Sequence, residues 1–171
     1  MYLISSFIYF LIGGVMALII RAQLFQPGLE VVQTFEQYNQ LFTMHGTIML
    51  LMFATPLFAG FANVLMPLQI GAPDVAFPRL NALAYWFYSI GSAIAVAGFL
   101  TPQGAASFGW FAYTPLSETM YSPSPAPWRL GAALVVVGVL LLGGAGGFAL
   151  GRGRRAGGTT GSTTGSTPAA D

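Results

Sequence analysis

Residues 41–68 read LFTMHGTIMLLMFATPLFAGFANVLMPL, and the only ionisable side chain among them is that of His45. A helix needs about 20 apolar residues to cross the roughly 30 Å hydrocarbon core of a bilayer. This longer run is therefore predicted to cross the membrane as a tilted helix. Thr55-Pro56 should kink that helix, because proline removes a backbone hydrogen bond.

Three further apolar runs flank this one, at residues 2–20, 82–100 and 130–150. The run at 82–100 is rich in small residues, which let neighbouring helices approach closely. Backbone groups in lipid must be satisfied within their own helix. The sequence therefore predicts an all-α polytopic membrane protein, with about four antiparallel transmembrane helices and short connections.

Composition places the chain in a bilayer and excludes several classes of function. It is 55% hydrophobic and 6% charged, with a mean hydropathy of +0.70, whereas a soluble domain carries about 25% charged residues. The net charge of +1 predicts no nucleic-acid partner. With no cysteine, disulfides, thiolate metal sites and cysteine nucleophiles are excluded. The absence of related halves disfavours a transporter built from repeats.

Arginine placement predicts the orientation, because cytoplasmic loops carry an excess of basic residues. With the N-terminus inside, four arginines lie in the cytoplasm and two outside. The inner ones are Arg79, Arg152, Arg154 and Arg155, and the outer ones are Arg21 and Arg129. His45 then lies nearer the outer face.

His45 is the only histidine of the chain. An imidazole in an apolar run is costly without a partner and marks a candidate functional site. A neutral imidazole can bind iron, and an axial histidine is a common haem ligand. The face formed with Gly46, Met49 and Met52 could accept a flat apolar ring. The alternative is a histidine that only hydrogen-bonds to the carbonyl of a neighbouring helix.

Four other polar residues near the membrane surfaces each allow two interpretations. Arg21 ends the first span, as a simple anchor would. Asp74, in the loop after the second span, could gather protons or be merely solvated. Asn63 and Asn81 flank that loop and could hold water or be structural amides at helix ends.

Several long motifs occur in one order along the chain. They are GGVMALIIRAQL (13–24), EQYNQLFTMHGT (36–47), NVLMPLQIGAPD (63–74), FPRLN (77–81) and GWFAYTPL (109–116). Together they resemble subunit I of bacterial cytochrome c oxidase, of the haem–copper oxidase family, from about Gly13 to Ser122. The resemblance implies the N-terminal part of the catalytic subunit of a proton-pumping terminal oxidase. That enzyme transfers electrons from cytochrome c to dioxygen in the bacterial plasma membrane, together with other subunits.

The resemblance also implies roles for individual residues. His45 would be an axial ligand of the iron of a low-spin haem, of haem a type, and Arg21 would hydrogen-bond the formyl group of that haem. Tyr38 would lie near one of its propionates, and Trp110 near a propionate of the second haem. Asp74 would form the mouth of a proton-uptake channel.

Asn63 and Asn81 would hold the first waters of that channel. Because no histidine follows His45, the opposite axial ligand and the copper ligands of the family are absent from this chain. The chain alone should therefore lack the oxygen-reducing site.

The C-terminal part of the chain does not resemble the family. Residues 1–122 are interpreted as oxidase-like helices, 123–151 as a divergent fourth span and 152–171 as a disordered, low-complexity tail. A frameshift or truncation would explain this pattern. The alternative function is a non-catalytic membrane scaffold or a non-functional truncated fragment.

Overall fold

The computed structural model describes residues 1–28, 31–102, 104–117 and 125–156, with side chains of the last range described from 126 to 141. Within these ranges the chain is helical and has no strand, which confirms the predicted all-α class. The elements are α1 (Tyr2–Gln23), α2 (Phe35–Thr47), a π-helical segment (Ile48–Ala54), α3 (Thr55–Ile70), α4 (Pro78–Ala97), a 3-10 turn (Gly98–Leu100) and α5 (Pro125–Ala156).

Three helical stretches of the described chain are long and apolar enough to cross a membrane: Tyr2–Gln23, Phe35–Ile70 and Pro78–Leu100. The second begins six residues before the predicted start at Leu41. Thr34 caps it there, because its Oγ1 accepts the N–H of Gln37 at 3.2 Å. An N-terminal cap lets a helix begin within polar sequence.

α5 begins before residue 130, where the fourth span was predicted to start, and ends at Ala156. It includes residues 152–156, which the sequence assigned to the tail. The rest of that tail, residues 157–171, lies outside the described residues.

A π-helical segment ends two residues before Pro56. The backbone N–H of Thr55 bonds to the Leu50 carbonyl, five residues back. Pro56 has no N–H to offer the Met52 carbonyl four residues earlier. The Tyr88 hydroxyl of α4 donates to that carbonyl instead, at 2.9 Å. A contact from another helix thus supplies a hydrogen bond to the carbonyl at the irregular turn.

Small residues set the distance between α4 and α5. A Cβ atom on Gly131 would lie 2.5 Å from the Gly91 carbonyl oxygen. A Cβ atom on Gly138 would lie 2.7 Å from the Ala84 carbonyl oxygen. Only glycine permits backbones to approach this closely, so these positions fix how α5 packs on α4.

Candidate functional site around His45

His45 is half-buried on α2, with its Nδ1 atom 3.0 Å from the carbonyl oxygen of Gly13 on α1. A carbonyl oxygen only accepts hydrogen bonds, so Nδ1 carries the proton and donates. In the neutral ring the lone pair then resides on Nε2, which is the form that binds a metal. The two interpretations of His45 are therefore compatible: its helix-to-helix hydrogen bond selects the tautomer that a ligand needs.

Gly13 faces the side chain of Met49. A Cβ atom there would lie 2.6 Å from Met49 Sδ and 3.2 Å from Met49 Cγ. At the next residue, Gly14, a Cβ atom would meet nothing within 4 Å. A Cβ atom at position 13 would therefore displace the end of the Met49 side chain.

Of the two methionines expected to form a face with His45, Met52 does not lie on an accessible surface. Met52 is fully buried in a core cluster with Met16 of α1 and Ala95 of α4. The π-helical segment changes the angle between successive residues from position 48 onward. Met52, seven residues from His45, therefore does not share the face of His45.

Trp110 lies directly beside the histidine position. A Cβ atom on Gly46 would be 3.0 Å from Trp110 Cδ1 and 3.1 Å from its Cβ. The indole thus rests on Gly46 of α2, and it is 44% exposed. The backbone turns just before it at Gly109, whose φ of +83° favours glycine.

A row of buried polar side chains on α2, not identified from the sequence, bonds to this loop and to α5. Thr43 Oγ1 accepts the Gly109 N–H at 2.9 Å, and Thr47 Oγ1 accepts the indole N–H of Trp128 at 2.8 Å. One turn earlier, Gln40 Oε1 accepts the Ala105 N–H at 3.3 Å. The signal was present as polar residues at positions 40, 43 and 47, a spacing that aligns them on one helical face.

Tyr38 and Arg21 both lie nearer than His45 to the same end of the helix bundle. Tyr38 is half-buried, two turns before His45 on the same face of α2, about 10 Å away along the axis. Arg21 is exposed near the end of α1, eight residues beyond Gly13 and about 12 Å along the axis. Because α1 runs antiparallel to α2, Tyr38 and Arg21 are both displaced from His45 toward the same end of the bundle.

The two asparagines meet at the opposite end. Asn63 Nδ2 donates to Asn81 Oδ1 at 3.2 Å, and the Tyr2 hydroxyl donates to the Asn81 carbonyl at 3.4 Å. These residues line a groove of about 580 Å³ between α1, α3 and α4. Asp74 stands apart from the pair, exposed in the loop after α3, where its Oδ1 accepts the Val75 N–H at 2.7 Å.

Comparison with known proteins supports the resemblance. The family model described as cytochrome c and quinol oxidase polypeptide I matches residues 1–166. The chain belongs to this family. The matched residues include α5. The structure's helical fold and the order of the motifs agree with the assignment.

Relatives from actinobacteria are similar over most of the chain. A probable cytochrome c oxidase subunit 1-alpha of Streptomyces coelicolor is 66% identical over 143 residues, 82% of this chain and 25% of the relative. A probable subunit 1-beta of Nocardia farcinica is 59% identical, covering 82% and 24%. Cytochrome c oxidase subunit 1 of Corynebacterium efficiens is 56% identical, covering 81% and 23%. The chain thus spans about a quarter of the length of these relatives.

Proposed function

We propose that this chain supplies one side of the low-spin haem site and the proton-uptake end of a terminal oxidase catalytic subunit. The complete subunit, with its partner subunits in the bacterial plasma membrane, would transfer electrons from cytochrome c to dioxygen and pump protons. The observation that carries this proposal is the Nδ1 hydrogen bond from His45 to Gly13. It leaves Nε2 able to bind iron.

The residues present fit a haem. The porphyrin provides four ligands to the iron, so a protein needs to add only axial ones, and a single imidazole nitrogen suits that role. His45 is the one histidine of the chain, so the chain can offer one imidazole to the iron. Haem, when bound, accepts and passes on single electrons; haem a is the type that the family resemblance favours.

Each neighbouring residue has a separate task in this proposal. The Gly13 carbonyl holds the His45 ring in one tautomer and raises the basicity of Nε2. The guanidinium of Arg21 places positive charge near the haem edge, which favours the reduced form. The Tyr38 hydroxyl and the Trp110 indole N–H can donate hydrogen bonds to propionate carboxylates.

The opposite end of the bundle would take up protons. Asp74 is an exposed carboxylate in the loop after α3, where it can exchange protons with water. The Asn63 and Asn81 amides line the groove between the helices. Amide groups donate and accept, so they can orient waters without adding charge inside the membrane.

Haem reconstitution of the full chain in lipid nanodiscs tests the proposal. The reduced-minus-oxidised spectrum should show a haem band, and resonance Raman spectra of the ferrous form should show an iron–histidine stretch. Both signals should vanish in His45→Ala and persist in Gly14→Ala, because a Cβ atom at position 14 has open space around it. Failure of the unaltered chain to bind haem, or equal signals in His45→Ala, would favour the scaffold or the non-functional fragment.

A further inference from the structure

The groove between α1, α3 and α4 lies at the end of the bundle where α1 begins. Three apolar side chains that line it are exposed: Ile4 by 66%, Val64 by 52% and Trp86 by 60%. At its base Leu3 packs on α3, where a Cβ atom on Gly60 would lie 2.7 Å from Leu3 Cδ2. Its volume of about 580 Å³ is in the range of ligand sites in proteins, about 300–1,000 Å³. The groove is therefore large enough for a ligand and open to the membrane.

The length of the groove decides between a lipid and a further helix as its occupant. On α4 it extends from Pro78, the first residue of the helix, to Trp86, which is about 12 Å along the axis. The hydrocarbon core of a bilayer is about 30 Å thick. A transmembrane helix would need a groove through that whole thickness, whereas this one ends within the first leaflet. Its length fits a lipid that enters from one membrane surface.

The charge at the mouth of the groove indicates the headgroup. Arg79 follows Pro78 on α4, is exposed, and makes no ion pair among the residues that the structure describes. It precedes Trp86 by seven residues, or two turns, so it lies on the same side of α4. The carboxylate of Asp74, in the preceding loop, accepts the N–H of its neighbour Val75 instead. An arginine binds a phosphate through two parallel hydrogen bonds, so this mouth favours an anionic headgroup.

We propose that this groove binds one anionic phospholipid of the cytoplasmic leaflet. The Arg79 guanidinium donates to the lipid phosphate, and an acyl chain lies along the apolar wall formed by Ile4, Ala82 and Trp86. Arginine placement predicts that this end of the bundle is cytoplasmic, and basic pockets between helices at that surface bind anionic headgroups. The site does not depend on haem, so the two proposals can fail separately.

A lipid titration followed by 19F NMR tests the site. The full chain, labelled with fluorotryptophan, is placed in nanodiscs of phosphatidylcholine, and phosphatidylglycerol replaces that lipid stepwise. The Trp86 resonance, identified by its loss in Trp86→Phe, should shift and then saturate, because the ring lines the groove. The resonances of Trp110 and Trp128, which do not line it, should shift least. Inorganic phosphate added to phosphatidylcholine nanodiscs should not move the Trp86 resonance, because it has no acyl chain.

Arg79→Gln should raise the phosphatidylglycerol fraction at half-saturation roughly fivefold, the effect of one basic residue at an anionic surface. Arg79→Lys keeps the charge and should retain most of the binding. Arg129→Gln is the charge-matched control, since it removes an exposed arginine that does not line the groove, and it should leave the midpoint unchanged. Equal midpoints for Arg79→Gln and the unaltered chain would overturn the proposal. So would similar shifts of all three tryptophan resonances, or a Trp86 shift caused by inorganic phosphate.

Discussion

Replacing Gly131 by alanine should weaken the packing of α5 on α4. The added Cβ atom would lie 2.5 Å from the Gly91 carbonyl oxygen and 2.6 Å from Ala95 Cβ. Neither atom can rotate away as a flexible side chain would. Because ordinary contact begins near 3.4 Å, the helices must separate by roughly 0.9 Å at this point. Inserting one carbon into such an interface costs about 1–3 kcal/mol.

Unfolding of the purified chain in mixed micelles, followed by tryptophan fluorescence, measures this cost. Gly131→Ala should lower the free energy of unfolding by about 1–3 kcal/mol. Gly14→Ala is the matched control, since its Cβ atom would meet nothing within 4 Å, and it should not lower the free energy of unfolding, because alanine is the better helix former. Equal stabilities for the two variants would show that α5 does not approach α4 at Gly131.

Three further outcomes are expected. Thr47→Val removes the acceptor of the Trp128 indole N–H. It should lower the free energy of unfolding by about 0.6–1.7 kcal/mol, the range for hydrogen bonds between membrane helices. An unchanged free energy of unfolding in the same micelle assay would contradict the contact. Gly46→Ala should displace the Trp110 ring by a few tenths of an ångström. In 19F NMR of the fluorotryptophan-labelled chain, which has three tryptophans, one resonance should then shift more than the other two. Three unchanged resonances would refute the contact. The isolated chain should consume no oxygen with reduced cytochrome c, because it has one histidine and no copper ligand set; cyanide-sensitive oxygen uptake would contradict this.

Much of the fold could be predicted from hydropathy because helix length in a bilayer is set by the thickness of the hydrocarbon. The three long apolar stretches lie where the apolar runs predicted them. The helix ends were less accurate. The second span begins at Phe35 because the Thr34 cap supports polar residues that hydropathy assigned to a loop.

The candidate site was only partly predictable. The isolation of His45 in an apolar run was visible, but its bond to Gly13 depends on how α1 pairs with α2, which no local pattern specifies. The π-helical segment moved Met52 into the core against the expectation of a uniform helical period. The roles of Thr43 and Thr47 depend on partners more than 60 residues away in the chain.

The protonation of the His45 ring tests the central claim most directly. Because His45 is the only histidine, labelling the chain with 15N-histidine in lipid bilayers gives signals from one ring. The proton should reside on Nδ1, and the 15N resonance of Nε2 should shift or broaden when haem is added. A proton on Nε2, or an Nε2 resonance that haem leaves unchanged, would contradict it.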